Sequence, residues 1–498
     1  MFDICAGENL FDLYCSHSGL IWQDELMGIL YNQVADQLHA LIRDGVYREG
    51  ERLPGVRALS RQFGVSVSTV LQAHQTLEAR GYLEARERSG YFVHLPRRDT
   101  PEPVMQKHKA KPVPVSARDM ALDLCADEQK VMVPLAAAIP HPDFLPVRQI
   151  QHATLWAARR GLETLDYAFP GKIEYRRQIA QRMAALGIIA TPGDILATNG
   201  AQEAIILALQ AVTKPGDIVV VESPSFPGIL QALDVVGLRV IEVPTHPSEG
   251  LSLEGLELAL EQWPVKACVV VPNHSNPMGA TMSDLRKQQM VRMLEAAGVP
   301  LIEDDIYGDL YYGTHRPRPA KVFDRTGNVI YCNSFSKTIS PGLRLGWMMP
   351  GKYLAEASQQ KYFSNLGTAS VPQLAVAHFL EQGGYDRYLR SARQRYREAT
   401  DRMRAAVGRS FPEGTAVSRP QGGFVLWVQL PGTVSGTEVF RRAREENINV
   451  APGLMFSTTD KYENCLRLNG ANPWSERVEQ AIARLGAIAT AVAAESRS

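Results

Sequence analysis

The sequence lacks an excess of charge of either sign. Lys and Arg together number 53, Asp and Glu also number 53, and the formal net charge is zero. This balance excludes a protein whose whole surface is basic and attracts nucleic acid or membranes by charge alone. It leaves open a basic face confined to one part of the chain.

Closely spaced cysteine pairs are also missing. The six cysteines are scattered along the chain, at Cys5, Cys15, Cys125, Cys268, Cys332 and Cys465. None forms a CxxC pair or lies near a pair of spaced histidines, so the sequence predicts no metal site. We expect reduced and mostly buried thiols, as in a cytoplasmic protein.

No apolar run reaches the roughly 18 uninterrupted residues that a membrane span needs. The N-terminal stretch MFDICAGENLFDLYCSHSGLIW lacks a basic start and is interrupted by Asp3, Glu8 and Asp12. We therefore expect no signal peptide, no membrane partner and a cytoplasmic location. The pattern indicates no role for residues 1–26.

At 498 residues the chain is too long for one compact core, and two or three domains are expected. The segment LPRRDTPEPVMQKHKAKPVPVSAR has five prolines among charged residues and few large apolar side chains. Such a composition favours an extended, semi-stiff tether. The sequence therefore predicts an N-terminal unit over 27–95, a proline-rich linker over 96–118 and a large unit over 119–498.

The N-terminal unit shows a helix-turn-helix pattern followed by a hairpin. LYNQVADQLHALIRDG and RLPGVRALSRQF predict two helices. Gly64 makes a turn, Ser66 caps a third helix, and SVSTVLQAHQTLEARG continues to Gly81. YLEARERSGYFVHL alternates around Ser89 and Gly90, which predicts a β-hairpin wing. Together these elements are typical of a winged helix-turn-helix.

Residues 27–95 carry eight arginines, no lysine and seven acids. Arginine suits phosphate and guanine contacts because its planar fork donates two hydrogen bonds. Short polar side chains at the exposed start of the third helix have the size to contact base edges. The predicted DNA contacts are Arg57, Arg61, Ser66, Ser68, Thr69, Gln72, Arg86, Arg88 and Gly90. The alternative is a helix-turn-helix used only for packing or protein contact.

The large unit alternates strand and helix patterns. GDIVVVES, KACVVVPN, VPLIEDD and NVIYCNS are typical of strands covered on both faces, and hence parallel. AQEAIILALQAV and SDLRKQQMVRMLEAAG have helical patterns. The predicted fold class is α/β, with a doubly wound, mostly parallel sheet. After Gly383 a long helix, GGFVLWVQL and LRLNG predict a smaller α+β subdomain.

Polar and charged residues follow several of these strands. They are Asn276, Asp304, Tyr307, Ser334, Ser336, Lys337 and Arg344. The aromatic Phe226 follows another strand, and TNGAQEA opens a helix. Strand ends of a parallel sheet meet at one edge, where α/β proteins bind ligands. Pyridoxal phosphate needs a lysine, an acid for its ring nitrogen, a donor to its phenolate oxygen, a phosphate cradle and a flat neighbour. This set supplies a candidate for each.

These motifs carry resemblances to known families. RLP at 52–54, GVSVSTV, LEARGYLE and SGYFV closely resemble the winged helix-turn-helix of GntR-type transcription regulators. Residues 120–495 resemble the fold-type I aminotransferases through the strand-end motifs. With the linker between them, the order of parts resembles the MocR group of transcription regulators.

The aminotransferase resemblance implies a role for each candidate. Lys337 would bond the aldehyde, Asp304 would keep the ring nitrogen protonated, and Phe226 would stack on the ring. Arg467 would bind a substrate carboxylate. The residues implied for the phenolate oxygen are Tyr307 and Asn276. The residues implied for the phosphate are Ala201, Gln202, Ser334, Ser336 and Arg344, with Tyr167 from a neighbouring subunit.

The combined resemblance implies a homodimeric transcription regulator that binds a double-stranded DNA operator. It would sense pyridoxal 5'-phosphate, a small amine or amino acid effector, or both, and the linker would relay the change. The first alternative is a working aminotransferase with an incidental DNA-binding domain, because the catalytic set is complete. A third possibility is a large domain that only dimerises and binds no cofactor.

Overall fold

The computed structural model of the protein describes residues 30–42, 46–79, 82–86, 89–94, 100–106, 111–115, 133–432 and 434–495. The N-terminal stretch 1–26 lies outside these ranges. The chain divides between residues 98 and 99 into two compact units. Among the described helices, none combines the length and apolarity of a membrane span.

The smaller unit contains three helices and a hairpin in its described residues. They are α1 (residues 30–42), α2 (Val56–Phe63), α3 (Val67–Ala79), β1 (Leu83–Arg86) and β2 (Gly90–Val93). The two strands pair antiparallel. Gly64 ends α2 at φ 66°, a left-handed conformation that favours glycine. Ser66 Oγ accepts the Thr69 N–H at 3.1 Å and so caps α3. The predicted winged helix-turn-helix is confirmed.

A mixed sheet forms the centre of the larger unit. The strands of this unit are β3 (Val113–Pro114), β4 (Val133–Pro134), β5 (Leu196–Thr198), β6 (Ile218–Ser223), β7 (Arg239–His246), β8 (Gly250–Leu251), β9 (Val265–Val270), β10 (Leu301–Asp304), β11 (Val329–Ser334), β12 (Gly346–Met349), β13 (Ala416–Val417), β14 (Val425–Gln429), β15 (Ile448–Asn449), β16 (Ala451–Pro452) and β17 (Cys465–Asn469). The sheet order is β3-β7-β6-β9-β10-β11-β12-β5. Strands β7, β6, β9, β10 and β11 run parallel to one another, and β12 runs antiparallel to β11. The mostly parallel sheet is as predicted.

Helices cover both faces of this sheet. The helices of the larger unit are α4 (Val147–Ala158), α5 (Ile173–Ala185), α6 (Ala201–Val212), α7 (Pro227–Val236), α8 (Leu253–Gln262), α9 (Asp284–Ala296), α10 (Leu354–Asn365), α11 (Ser370–Glu381), α12 (Gly384–Ser410), α13 (Gly436–Glu445) and α14 (Glu476–Glu495). Val219 and Val221 of β6 share a core with α6 and α7, whereas Val220 shares one with α8 and α9. This alternation makes the sheet doubly wound.

A smaller subdomain follows α11. The antiparallel strands β13, β14, β17 and β16 form a separate sheet. Their buried residues share a core with the C-terminal part of α12 and with α13 and α14. The sequence-based prediction of an α+β subdomain after Gly383 is confirmed.

Part of the predicted linker is bound to the larger unit. β3 pairs antiparallel with β7 at the edge of the large sheet. On the smaller subdomain, the Val417 N–H donates to the Pro101 carbonyl at 2.8 Å, and Arg404 donates to the Thr100 carbonyl at 2.8 Å. The expectation of a tether along 96–118 is therefore corrected for residues 100–106 and 111–115, because backbone hydrogen bonds attach this segment at two places.

Candidate functional site

One cavity of about 250 Å³ opens at the carboxyl ends of the parallel strands. Ten of the residues predicted from the sequence line it, namely Ala201, Gln202, Phe226, Asn276, Asp304, Tyr307, Ser334, Ser336, Lys337 and Arg344. They come from separate strand ends because neighbouring parallel strands finish at one edge of the sheet. The structure thus brings together residues that span 144 positions of the sequence, from 201 to 344.

Asp304 supplies a buried carboxyl to this cavity. It is the last residue of β10 and is 3% exposed. One of its oxygens accepts the Ile306 N–H at 3.2 Å. Burial raises the pKa of Asp304 to about 7, while the nearby Lys337 opposes this rise. The carboxyl therefore lacks enough positive charge around it, and a cationic group in the cavity would stabilise its ionised form.

Lys337 lies on the cavity wall after β11. Its Nζ donates to the Ala138 carbonyl at 2.6 Å. The same lysine is close enough to Asp304 to lower the pKa of that carboxyl. An amine and a carboxyl therefore line the same cavity.

Tyr307 and Asn276 form a polar pair beside Asp304. The Asn276 side chain hydrogen-bonds the Tyr307 hydroxyl, and burial raises the pKa of Tyr307 above its ordinary range. The tyrosine is therefore a neutral hydroxyl that can donate to an oxygen in the cavity. Arg467 Nη1 donates to Asn276 Oδ1 at 3.2 Å, which fixes the amide orientation.

The start of α6 contributes to the cavity wall and forms the end that we call the phosphate end. Gly200 precedes the helix at φ 85°, and a Cβ there would lie 2.8 Å from Arg344 Nη2. Arg344 Nη2 donates to the Asn199 carbonyl at 3.0 Å, and Nη1 lies 3.5 Å from Ser336 Oγ. Unpaired N–H groups at a helix start, a guanidinium and hydroxyls are donors that suit a phosphate.

Phe226 closes the side of the cavity after β6. It precedes α7 and is partly buried. Gln202 Nε2 donates to the Gly228 carbonyl at 2.6 Å, and a Cβ on Gly228 would lie 2.4 Å from the Phe226 ring. The missing side chain at Gly228 therefore lets the aromatic ring and the glutamine share this wall.

The residues present fit pyridoxal 5'-phosphate. The test is the donor set: a lysine, a buried carboxyl short of positive charge, a neutral phenol and a phosphate cradle line one cavity. These are the groups that this cofactor requires, and each faces the same space.

Two predicted residues lie off the cavity wall. Tyr167 is 82% exposed and does not line the cavity of its own chain. Arg467 is 5% exposed and lies behind Asn276, with Nη2 also donating to the Ala136 carbonyl. Its guanidinium lies 5.2 Å from the centre of the Phe456 ring. The structure therefore places Arg467 beside the cavity and Tyr167 on the surface.

Part of the cavity wall was not predicted from the sequence. The additional residues lining the cavity are Ile139, Ile205, Val271, Ile306 and Pro341. Isoleucines next to polar strand-end residues could have been suspected from their positions. The Ala136 and Ala138 carbonyls, which accept from Arg467 and Lys337, could not be predicted from the sequence, because every residue has a main-chain carbonyl.

The predicted DNA-contact residues are mostly exposed on the smaller unit. The exposed ones are Arg57, Arg61, Ser66, Ser68, Gln72, Arg86 and Gly90. Arg86 also pairs with Glu84 at 3.0 Å and lies 4.4 Å from the centre of the Phe92 ring. Arg88 lies outside the described residues.

Thr69 differs from the expectation of an exposed contact. Its side chain is 5% exposed, and its Oγ1 lies 2.7 Å from Ser66 Oγ. The physical reason is the helix geometry: Thr69 faces the core one turn from the cap, next to Val70 and Ala73, which are fully buried. The prediction that Thr69 is exposed and contacts a DNA base is therefore corrected: its side chain is buried.

Among the residues that the structure describes, no group of His, Cys, Asp and Glu side chains could hold a metal ion. In the same ranges Cys268, Cys332 and Cys465 are free and buried. Burial raises the pKa of each of these thiols.

Comparisons with known proteins match both units. Residues 30–93 match the description "Bacterial regulatory proteins, gntR family", and residues 142–485 match "Aminotransferase class I and II". The uncharacterized HTH-type transcriptional regulator YjiR of Escherichia coli is 40% identical over 459 residues, which are 92% of this chain and 98% of that protein. YdcR, described in the same words and from the same organism, is 39% identical over 466 residues, with 92% and 98% covered.

A solved structure matches the larger unit. It is LysN, the α-aminoadipate aminotransferase of Thermus thermophilus, in complex with N-(5'-phosphopyridoxyl)-L-leucine. The TM-score is 0.70 at 30% identity, over 76% of this chain and 96% of that one. The similarity thus reaches a protein whose structure holds a phosphopyridoxyl group joined to an amino acid.

Proposed function

Because the chain belongs to the GntR-type helix-turn-helix regulators that carry a class I and II aminotransferase domain, we propose that it regulates transcription by binding DNA and sensing a ligand in its larger unit. The cofactor is pyridoxal 5'-phosphate. One observation carries the proposal: a complete cofactor-type cavity occurs in the same chain as a winged helix-turn-helix.

We propose that the cavity residues divide the cofactor among them. Lys337 would bond its aldehyde, Asp304 would hold the ring nitrogen protonated, and Tyr307 would donate to the phenolate oxygen. The residues that would hold the phosphate are Ala201, Gln202, Ser334, Ser336 and Arg344. When bound, the cofactor supplies an electron sink for bonds at the α carbon of an amine.

The ligand sensed is an amino compound, and we propose that it carries a carboxylate. The buried Arg467 guanidinium lies beside Asn276 at the cavity, and a guanidinium binds a carboxylate with two parallel hydrogen bonds. Releasing its contact with the Ala136 carbonyl would free donors for this carboxylate.

We propose three functional parts: a DNA-binding unit over 27–95, a connecting segment over 96–118 and a sensing unit over 119–498. The segment is attached both to β13 of the small subdomain and to β7 of the large sheet. A ligand that moves one subdomain against the other would pull on this segment. The ligand can do so only if it binds one arrangement better than the other.

We also propose a homodimer. The larger unit exposes an apolar set that a monomer would leave in water, comprising Leu155, Leu162, Leu165, Tyr167, Phe169, Tyr362, Phe363 and Leu366. The Phe169 and Tyr362 rings lie 5.4 Å apart, so the two parts of this set are adjacent. Contiguous apolar surface of this kind favours a protein interface. A second copy would also bring Tyr167 near a neighbouring cavity.

The test is selection of bound fragments from genomic DNA, with and without pyridoxal phosphate. Wild type is expected to enrich specific sequences, and the cofactor is expected to change the enrichment or footprint. Lys337→Ala should enrich the same sequences, and adding the cofactor should not change this enrichment. Enrichment of no specific sequence by wild type would contradict the regulator.

The second candidate function is transamination by a working enzyme, which the complete set around Lys337 favours. Turnover of an amino acid with a keto acid would be followed under single-turnover and steady-state conditions. Fast turnover without specific DNA binding would favour the enzyme over the regulator. Since the proposed target is chromosomal DNA, we propose the cytoplasm as the location.

A further inference from the structure

An ion pair between a buried lysine and a partly buried glutamate involves the first turn of α6, the helix whose start lines the cavity. Lys361 of α10 is 1% exposed, and its Nζ donates to Glu203 Oε2 at 2.6 Å and to Thr368 Oγ1 at 2.9 Å. Neither Lys361 nor Glu203 lines the cavity. Burying a charged lysine is unfavourable unless a partner compensates it, and Glu203 is that partner.

Glu203 in turn holds the loop that opens α6. Its Oε2 accepts the Asn199 N–H at 2.7 Å, and its Oε1 accepts from Asn199 Nδ2 at 3.0 Å. Asn365 Nδ2, from the same helix as Lys361, also donates to Oε1. The carboxylate therefore ties both the backbone and the side chain of Asn199 to α10.

The opposite side of the same loop faces the cavity. The Asn199 carbonyl accepts from Arg344 Nη2 at 3.0 Å, and Ala201 and Gln202 line the cavity wall. Asn199 is thus held by Glu203 on one side and by the proposed phosphate-binding arginine on the other. A shift of Asn199 would move the first N–H groups of α6 and the arginine together.

The charge of Glu203 matters as much as its contacts. Glu203 is two residues after Ala201, about 3 Å along the helix axis. A carboxylate in the first turn competes with a phosphate for the positive end of the helix and repels it directly. Lys361, which does not line the cavity, neutralises this carboxylate.

We infer that Lys361 is a positioning residue for the cofactor phosphate, acting through Glu203 on the Asn199–Gly200 loop. It neutralises the one carboxylate in the first turn of α6 and fixes the loop from which the helix N–H groups point. The inference rests on the proposed pyridoxal phosphate site and adds a residue to it that lies outside the cavity.

The experiment compares two ligands that differ only in the phosphate. Affinity for pyridoxal 5'-phosphate and for pyridoxal is measured by absorbance titration on wild type and three full-length variants. Lys361→Met leaves Glu203 uncompensated. Lys361→Met combined with Glu203→Gln removes both charges. Lys321→Met is the matched control, because Lys321 forms a buried pair with Asp324 at 2.8 Å beside Val329, at the other end of β11.

Lys361→Met is expected to weaken pyridoxal 5'-phosphate binding by roughly 10- to 100-fold, because it leaves an uncompensated carboxylate in the first turn of the helix proposed to hold the phosphate. Affinity for pyridoxal should change little. The double variant should recover most of the loss, and Lys321→Met should behave as wild type toward both ligands.

Equal losses for both ligands in Lys361→Met would overturn the inference, since a merely structural role would produce them. An unchanged affinity for pyridoxal 5'-phosphate would overturn it too. If Lys361→Met does not fold, the Glu203→Gln variant alone provides the test. We expect its affinity for pyridoxal 5'-phosphate to equal or exceed that of wild type. A loss of affinity for pyridoxal 5'-phosphate without a loss for pyridoxal would contradict the inference. Failure of wild type to bind pyridoxal 5'-phosphate would instead remove the proposed function itself.

Discussion

Replacing Asp304 by asparagine should stabilise the cofactor-free protein above neutral pH. The ordinary pKa of this carboxyl is 3.8, and burial raises it to about 7. Each pKa unit corresponds to about 1.4 kcal/mol, so holding the ionised form in the folded protein costs up to ~4 kcal/mol. Asparagine has the same shape and no charge, so the variant avoids this cost.

The sign of the pH dependence follows from the raised pKa. The folded state of wild type keeps the Asp304 proton at pH values where the unfolded chain has lost it. The unfolding free energy of wild type therefore falls as pH rises from about 4 to about 7. Above pH 7 Asp304 causes no further fall. We expect Asp304→Asn to gain less than ~1 kcal/mol at pH 4.5 and ~2–4 kcal/mol at pH 8.

The assay is urea unfolding of the cofactor-free protein at pH 4.5 and pH 8, followed by tryptophan fluorescence at fixed protein concentration. Asp305→Asn is the matched control. The Asp305 carboxylate is also buried, but it accepts hydrogen bonds from Arg316 Nη2 at 2.6 Å and from Asn273 Nδ2 at 2.8 Å. The Asp305→Asn variant should therefore lose stability at both pH values. Destabilisation of Asp304→Asn at pH 8, or a gain independent of pH, would refute the reasoning.

The remaining predictions concern the phosphate end and the smaller unit. Gly200→Ala should weaken pyridoxal 5'-phosphate binding at least ~10-fold in an absorbance titration, because the new Cβ would lie 2.8 Å from Arg344 Nη2 at φ 85°; an unchanged affinity would contradict this. Ser66→Ala removes the cap on the Thr69 N–H and should lower the unfolding free energy of the smaller unit by ~1 kcal/mol in thermal melts; Ser66→Asp should retain the cap, and equal loss in both would count against it. Arg57→Ala should weaken binding to many DNA sequences alike and reduce the salt dependence of log K by ~1, because Arg57 is an exposed predicted DNA contact on α2 for which we expect a phosphate partner. Loss of affinity at one base position only would contradict this.

The sequence predicted the parts of the site that side-chain patterns encode. Asp304 ends one short strand and Lys337 follows the next, and parallel strands end at one edge of the sheet, so their proximity in space followed from topology alone. The winged helix-turn-helix followed from helical periodicity, the Gly64 turn and the Ser66 cap. These signals are local, and each lies within a few residues of the feature it predicts.

Other features depend on contacts between distant residues or on the main chain. Lys361 and Glu203 are 158 positions apart, and nothing in either neighbourhood indicates the other. The attachment of residues 100–106 and 111–115 uses backbone hydrogen bonds, which a proline-rich composition hides. The prediction that Thr69 is exposed was wrong because the sequence of one helical turn does not show which side chains pack against the core. These three features depend on tertiary contacts, which the periodicity of the sequence does not predict.

A ligand cavity and a DNA-binding unit occur in one chain, and one measurement tests whether the first controls the second. Fluorescence anisotropy would give the affinity for a selected operator fragment as pyridoxal 5'-phosphate is added to wild type and to Lys337→Ala. We predict that the cofactor changes the operator affinity of wild type by at least ~5-fold and leaves that of Lys337→Ala unchanged. No change in wild type, or the same change in both proteins, would contradict the account.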